Sequence, residues 1–250
     1  MSEMAFDYSK AGFTIREDLP LAYRDIWKKI SAPGNFWRGE DRIAIAAESR
    51  QARLCGFCAE RKDALSPYTF KGEHETVTNL PPAVVDVVHR ITTDAPRITE
   101  AWIDSLAEDG ITRPHYVELL GIVVAVISID AFHRALGLPL EPLPTPETGE
   151  PDGYQSITAT DHGAYVPMVM PDEVTDDNRD LYDGQARTGN VMAAMSLIPD
   201  SVRMLKTLGA VQYLAPHQVA DPTAKLSRAI SRSQMEMLAG RVSSLSNCFY

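Results

Sequence analysis

Apolar residues along most of this chain return every three or four positions, a spacing that lines one face of an α-helix and does not suit the alternation of a strand. Leu19, Tyr23, Ile26, Trp27 and Ile30 mark a first helix, stopped by Pro33 and Gly34. Pro81 and Pro82 open a second stretch, Val84, Val85, Val87, Val88 and Ile91. Its β-branched residues would suit a strand, but the paired prolines and the polar residues between them predict a helix. Thr99 can cap a helix carrying Trp102, Ile103 and Leu106, which Gly110 ends. Pro114 starts the longest helix, running to about Leu136 with Gly137 as its stop. Further on, Asp200 can cap a helix bearing Val202, Leu205, Leu208 and Val211. A last helix from Ser233 sets Met235, Leu238, Ala239, Val242 and Leu245 on one face. With no strand series in view, the expected fold is all-α.

Composition and punctuation divide the chain and narrow its partners. Pro139, Pro142, Pro144, Pro146, Pro151, Pro167 and Pro171 fall in one stretch with Gly149, Gly153 and Gly163, which predicts a linker over 138–171. The expected organisation is a helical unit over 1–137, that linker, and a second unit over 172–250. Thirty-four acidic against 24 basic residues give a formal charge of −10, and no basic cluster is present, so neither nucleic acid nor an anionic membrane is an expected partner. The most apolar run, 119–129, is shorter than the ~20 residues that cross a bilayer. Glu118 and Asp130 bracket it, so it reads as a buried helix. The N-terminus is acidic and lacks the apolar core of a signal peptide, which predicts a cytoplasmic protein.

Three cysteines are too few for a disulfide scaffold, but two of them form Cys55-Gly-Phe-Cys58. At the first turn of a helix this spacing brings two sulfurs within bridging reach, one as nucleophile and the other as resolver. Half of a zinc site is the competing reading. The six histidines, His74, His89, His115, His133, His162 and His217, include no closely spaced pair to complete it, so redox chemistry is expected and no metal or cofactor. An inert buried pair is the bland alternative. Arg61 and Lys62 would favour a thiolate if they face Cys58, and His74, in a polar loop, could approach it. A pseudo-repeat emerges when the cysteines are aligned: residues 42–47 precede Cys55 as residues 235–240 precede Cys248, each a small-residue helix with a polar start. Glu236 lies twelve residues before Cys248, about 18 Å along an unbroken helix, so contact between them needs a chain reversal at 243–247. Ser233 and Glu236 also have capping-box spacing, which explains the glutamate without catalysis.

In Glu236 through Asn247-Cys248-Phe249-Tyr250 the chain resembles the alkyl hydroperoxidase D-type, or carboxymuconolactone decarboxylase-like, family. The signature of that family is Glu, eleven residues, Cys-x-x-Cys, three residues, His. Glu236 and Cys248 match it in identity and spacing, and residues 37–67, 116–118 and 130–137 are similar to members as well. Around Cys55 and Cys58 the glutamate and histidine positions hold Ile43 and Lys62, so the first unit keeps the thiols without the family's proton relay. The second unit would need a further cysteine just past Tyr250, and the resemblance suggests a selenocysteine whose UGA codon closed the reading frame. It implies reduction of hydroperoxides, with Cys248 resolving, Glu236 in the relay, Cys55 and Cys58 as the pair able to cycle, and a thiol or disulfide electron donor. It also implies a homo-oligomer, a trimer or a multiple of one, with the long helix at the subunit contact. A decarboxylase of the same fold and a non-catalytic helical oligomerisation module are the alternatives.

Overall fold

A computed structural model of the chain describes residues 6–9, 11–221, 223–224, 226, 228–246 and 248. Among them helices dominate and no strand forms; the nearest thing to one is an isolated bridge between Thr160 and Met168. The helices are α1 (Asp18–Ser31), α2 (Gly39–Ala52), α3 (Gly56–Asp63), α4 (Pro82–Asp94), α5 (Glu100–Ser105), α6 (Arg113–Ala135), α7 (Asn190–Ala193), α8 (Pro199–Gln212), α9 (Pro216–Ala220) and α10 (Arg232–Leu245). The all-α expectation holds.

Local sequence accounts for most of the boundaries. α1 buries Leu19, Tyr23, Ile26, Trp27 and Ile30, the face expected from their spacing. Pro82 occupies the first turn of α4, where its missing N–H costs nothing, and the valines it precedes are helical. Thr99 accepts from the Trp102 amide at the start of α5, and Gly110 and Gly137 take φ of +79° and +66° where their helices end. Two caps fall elsewhere than expected. α8 starts at Pro199, with Asp200 inside its first turn, and Ser231 with Gln234, not Ser233 with Glu236, forms the capping box of α10.

α6 is the axis of the core. It is long and apolar enough to cross a membrane by composition, yet most of that stretch is buried within the chain, against α2, α4 and α8. Its own chain thus covers most of the helix expected at a subunit contact. Its polar residues hold the core together. Glu118 forms a buried ion pair with Arg42 of α2, Asp130 accepts from Arg50 at 2.7 and 2.9 Å, and His133 meets the Tyr8 hydroxyl at 2.9 Å.

The 138–171 segment is extended and lies against the helices. Trp27 donates to the Pro142 carbonyl at 2.9 Å, and the amides of Glu147 and Gly153 donate to Ser31 and Asn35 at 2.7 Å each. Beyond it, Val202, Met204 and Leu208 of α8 join the core of α1 and α6. α10 behaves differently from the expected core helix. Met235 is buried, but Leu238, Val242 and Leu245 are more than half exposed, because the stripe faces away from the other helices. The two small-residue helices thus have unlike surroundings, α2 enclosed and α10 open.

Gly121 sets the approach of α6 to α8, since a Cβ there would stand 2.4 Å from Ser201 Oγ. Gly121→Ala is expected to destabilise the fold by about 1–3 kcal/mol through overpacking, read as a lower urea midpoint. Adding Ser201→Gly should restore part of the loss. An unchanged midpoint for the single variant would contradict the close approach.

Candidate functional site

Cys55 is the N-cap residue of α3 and Cys58 sits in its first turn, so the Cys-x-x-Cys geometry expected from spacing is present. Both sulfurs are reduced and both residues are only 2% exposed. They line a cleft of about 280 Å³ together with Ala52, Arg53, Ala59, Lys62, Thr92 and Thr93.

Behind Cys58 stands a buried relay. Its Sγ is 3.2 Å from His89 Nδ1, and His89 Nε2 is 3.1 Å from Glu48 Oε2. His89 and Glu48 have no solvent exposure. Burial favours protonating Glu48, but hydrogen bonds from Thr76, Thr78, His89 and the Val77 amide outweigh it and hold its pKa below the ordinary value. An ionised carboxylate can only accept, so His89 Nε2 carries the proton and Nδ1 presents a lone pair to the thiol. Burial also lowers the His89 pKa, which favours the neutral ring.

A second histidine stands beside the first, with its ring centre 4.3 Å from that of His89. His74 Nδ1 lies 3.4 Å from Cys58 Sγ and 3.8 Å from Cys55 Sγ, while its Nε2 is 2.9 Å from Asp86 Oδ1. Its loop folds onto the start of α3, where Glu75 accepts from the Gly56 amide at 3.2 Å. Gly72 lets the loop pass Phe57, since a Cβ there would meet that ring at 2.5 Å. Phe57 stacks on Phe70 and meets His74 edge-on, closing the aromatic side of the site.

Asp86 gathers the cations. It accepts from Arg61 and from Arg90, as well as facing His74. Burial opposes its charge, but these three partners hold its carboxyl well below the usual carboxylate range. Arg61 does face Cys58, with Nη2 at 3.9 Å, as the sequence allowed. It fails to make a thiolate: burial, then the neighbouring Cys55, push the Cys58 thiol up to about 12. Lys62 borders the cleft instead.

The relay is the main departure from what the sequence suggested. The Ile43 and Lys62 positions are indeed empty of acid and base, but Glu48, seven residues before Cys55, and His89, 31 residues after Cys58, supply both. His74 joins them, and the four donor atoms of Cys55, Cys58, His74 and His89 lie within 4.8 Å of one another. A metal could therefore be held here, although no two of the histidines are close in sequence.

At the other end of the chain the expected residues do not meet. Glu236, one turn into α10, pairs with Arg232 and hydrogen-bonds Tyr213. Cys248 is exposed past the C-terminus of the same helix, its amide donating to the Ser243 carbonyl at 2.9 Å. Ser243 and Ser244, expected in a reversal, are helical; Asn247 and Tyr250 lie outside the described residues. The chain matches no family model, no curated protein and no solved structure.

The depressed pKa of Asp86 fixes a pH dependence. Its folded value lies below the ~3.9 of an unfolded aspartate, so its stabilisation is fully present above about pH 4 and fades as pH falls toward the folded value. Asp86→Asn should cost about 2 kcal/mol at pH 7, with the gap to the parent narrowing between pH 4 and pH 2 in chemical denaturation. A gap independent of pH would contradict the assignment.

Proposed function

We propose that this chain is a dithiol oxidoreductase that reduces hydroperoxides through Cys58 and Cys55. The observation that carries the reading is the buried series Cys58, His89, Glu48: a nucleophile, a base within hydrogen-bond reach, and a carboxylate that orients the base. The likeness of the sequence to the alkyl hydroperoxidase D-type family, with its two pseudo-repeated units, supports the same chemistry, and on this reading Glu48 and His89 stand in for the relay that family places elsewhere.

The chemistry follows from the protonation states. His89 Nδ1 takes the Cys58 proton as the sulfur attacks one peroxide oxygen; an S–O bond forms and the O–O bond breaks. The departing alkoxide receives the proton from His89 and leaves as an alcohol. The resulting sulfenic acid is attacked by the Cys55 sulfur, which forms the disulfide and releases water. Two electrons have passed from the thiols to the peroxide, and two external thiols return them as they are oxidised to a disulfide. The base matters because a thiol held near 12 by burial supplies little thiolate unaided. Substrate enters along the cleft beside Arg53 and Lys62.

One equivalent of an alkyl hydroperoxide should consume two thiols per chain and yield a Cys55–Cys58 disulfide by peptide mapping. Cys55→Ser should stop at a sulfenic acid trappable on Cys58, and Cys58→Ser should abolish the reaction. His89→Ala should slow thiol loss by about 10²–10⁴-fold. Retention of both thiols in the folded parent chain would refute the proposal.

A further inference from the structure

Two sulfurs and two imidazole nitrogens with their lone pairs turned toward a common point make a recognisable coordination set. We propose that Cys55, Cys58, His74 and His89 bind one zinc ion as a closed Cys2His2 centre, with Glu48 and Asp86 fixing the two imidazoles. This goes beyond the peroxide reading and does not depend on it.

The spacing already suits the ion. Zinc bonds of about 2.3 Å to sulfur and 2.0–2.1 Å to nitrogen put neighbouring S and N ligands about 3.6 Å apart in a tetrahedron. Three of the four Sγ to Nδ1 separations are 3.2, 3.4 and 3.8 Å, and the fourth, Cys55 to His89, is within 4.8 Å. Both histidines offer the same nitrogen inward, and each has its Nε2 on a carboxylate, His89 on Glu48 and His74 on Asp86. That outer pairing fixes ring orientation and raises ligand basicity at metal-bound histidines. A nucleophilic thiol needs one such histidine. Two, facing a pair of sulfurs from different elements, are what a metal needs.

Charge is balanced in the same way. With thiols protonated and imidazoles counted as neutral, the buried Glu48 and the partly buried Asp86 are offset by Arg61 and Arg90. Replacing two thiol protons by one dication leaves that balance unchanged, whereas baring the thiolates would leave buried negative charge. Thiolate and imidazole donors suit zinc over magnesium or calcium, which take oxygen ligands. If the pair is also peroxide-reactive, the two states exclude each other. One hydroperoxide and two protons would convert the zinc-bound dithiolate to the disulfide, an alcohol, water and free zinc.

The test is a titration of the chelator-treated full chain with zinc and with cobalt(II). One ion per chain is expected, with the intense visible bands of tetrahedral cobalt and a thiolate-to-cobalt charge-transfer band, both lost when zinc is added. Cys58→Ser and His74→Ala should lose the site, and Cys248→Ser should keep it. Glu48→Gln and Asp86→Asn should preserve the spectrum while weakening affinity by about 10–100-fold, which carries the test should a ligand variant fail to fold. An octahedral cobalt spectrum, no uptake, or uptake unchanged in Cys58→Ser would overturn the proposal. Zinc uptake without peroxide-driven thiol loss would leave it standing and remove the redox reading; thiol loss without zinc uptake would do the reverse.

Discussion

The carboxylate of Glu48 is the contact on which the site depends. It has no exposure, and it accepts from Thr76 Oγ1, the Val77 amide at 2.9 Å, Thr78 Oγ1 at 2.7 Å and His89 Nε2 at 3.1 Å. One side chain of α2 thereby anchors the 76–78 loop and sets the ring of a histidine on α4. That loop follows directly from His74, so the anchor helps to bring a second imidazole to the sulfurs. A buried carboxylate is tolerated only when its lone pairs are filled, and here hydrogen bonds from two segments, the 76–78 loop and α4, fill them.

Enclosure has opposite effects on the two halves of the relay. It holds the Cys58 thiol protonated, which on its own would make the sulfur inert. It also lowers the His89 pKa, which favours the neutral ring and leaves its Nδ1 lone pair free of a proton. The arrangement stores reactivity in a neutral pair and avoids a buried thiolate, whose charge would lack a partner because Asp86 already engages Arg61 and Arg90. On the proposed readings the same pocket would take either two protons or one dication without changing its charge, which would make redox and metal chemistry alternative uses of a single geometry.

The helices were legible because burial follows the 3.6-residue period: the faces read from α1 and α4 are the buried ones. The period could not say which stripe finds a partner, and on α10 it finds little beyond Met235. The thiol pair was legible from its spacing, and so was its place at a helix start. Its partners were not, because Glu48 and His89 meet through the packing of α2 on α4 and not through a local motif. The signature register pointed to Ile43 and Lys62, away from the residues that serve. A faint signal existed in each helix, a glutamate within the alanine-rich α2 and a histidine beside the valines of α4. Polar residues in such settings need buried partners, and here they are each other's.

The claim common to every chemical reading is that His89 is neutral, with its proton on Nε2 toward Glu48 and its Nδ1 lone pair toward Cys58. Long-range ¹H–¹⁵N correlation of the histidine side chains in metal-free, reduced protein at neutral pH reports this directly. The account predicts a neutral Nε2–H tautomer for His89 that changes when Glu48 is replaced by alanine. A protonated ring, or a neutral ring with its hydrogen on Nδ1, would contradict it.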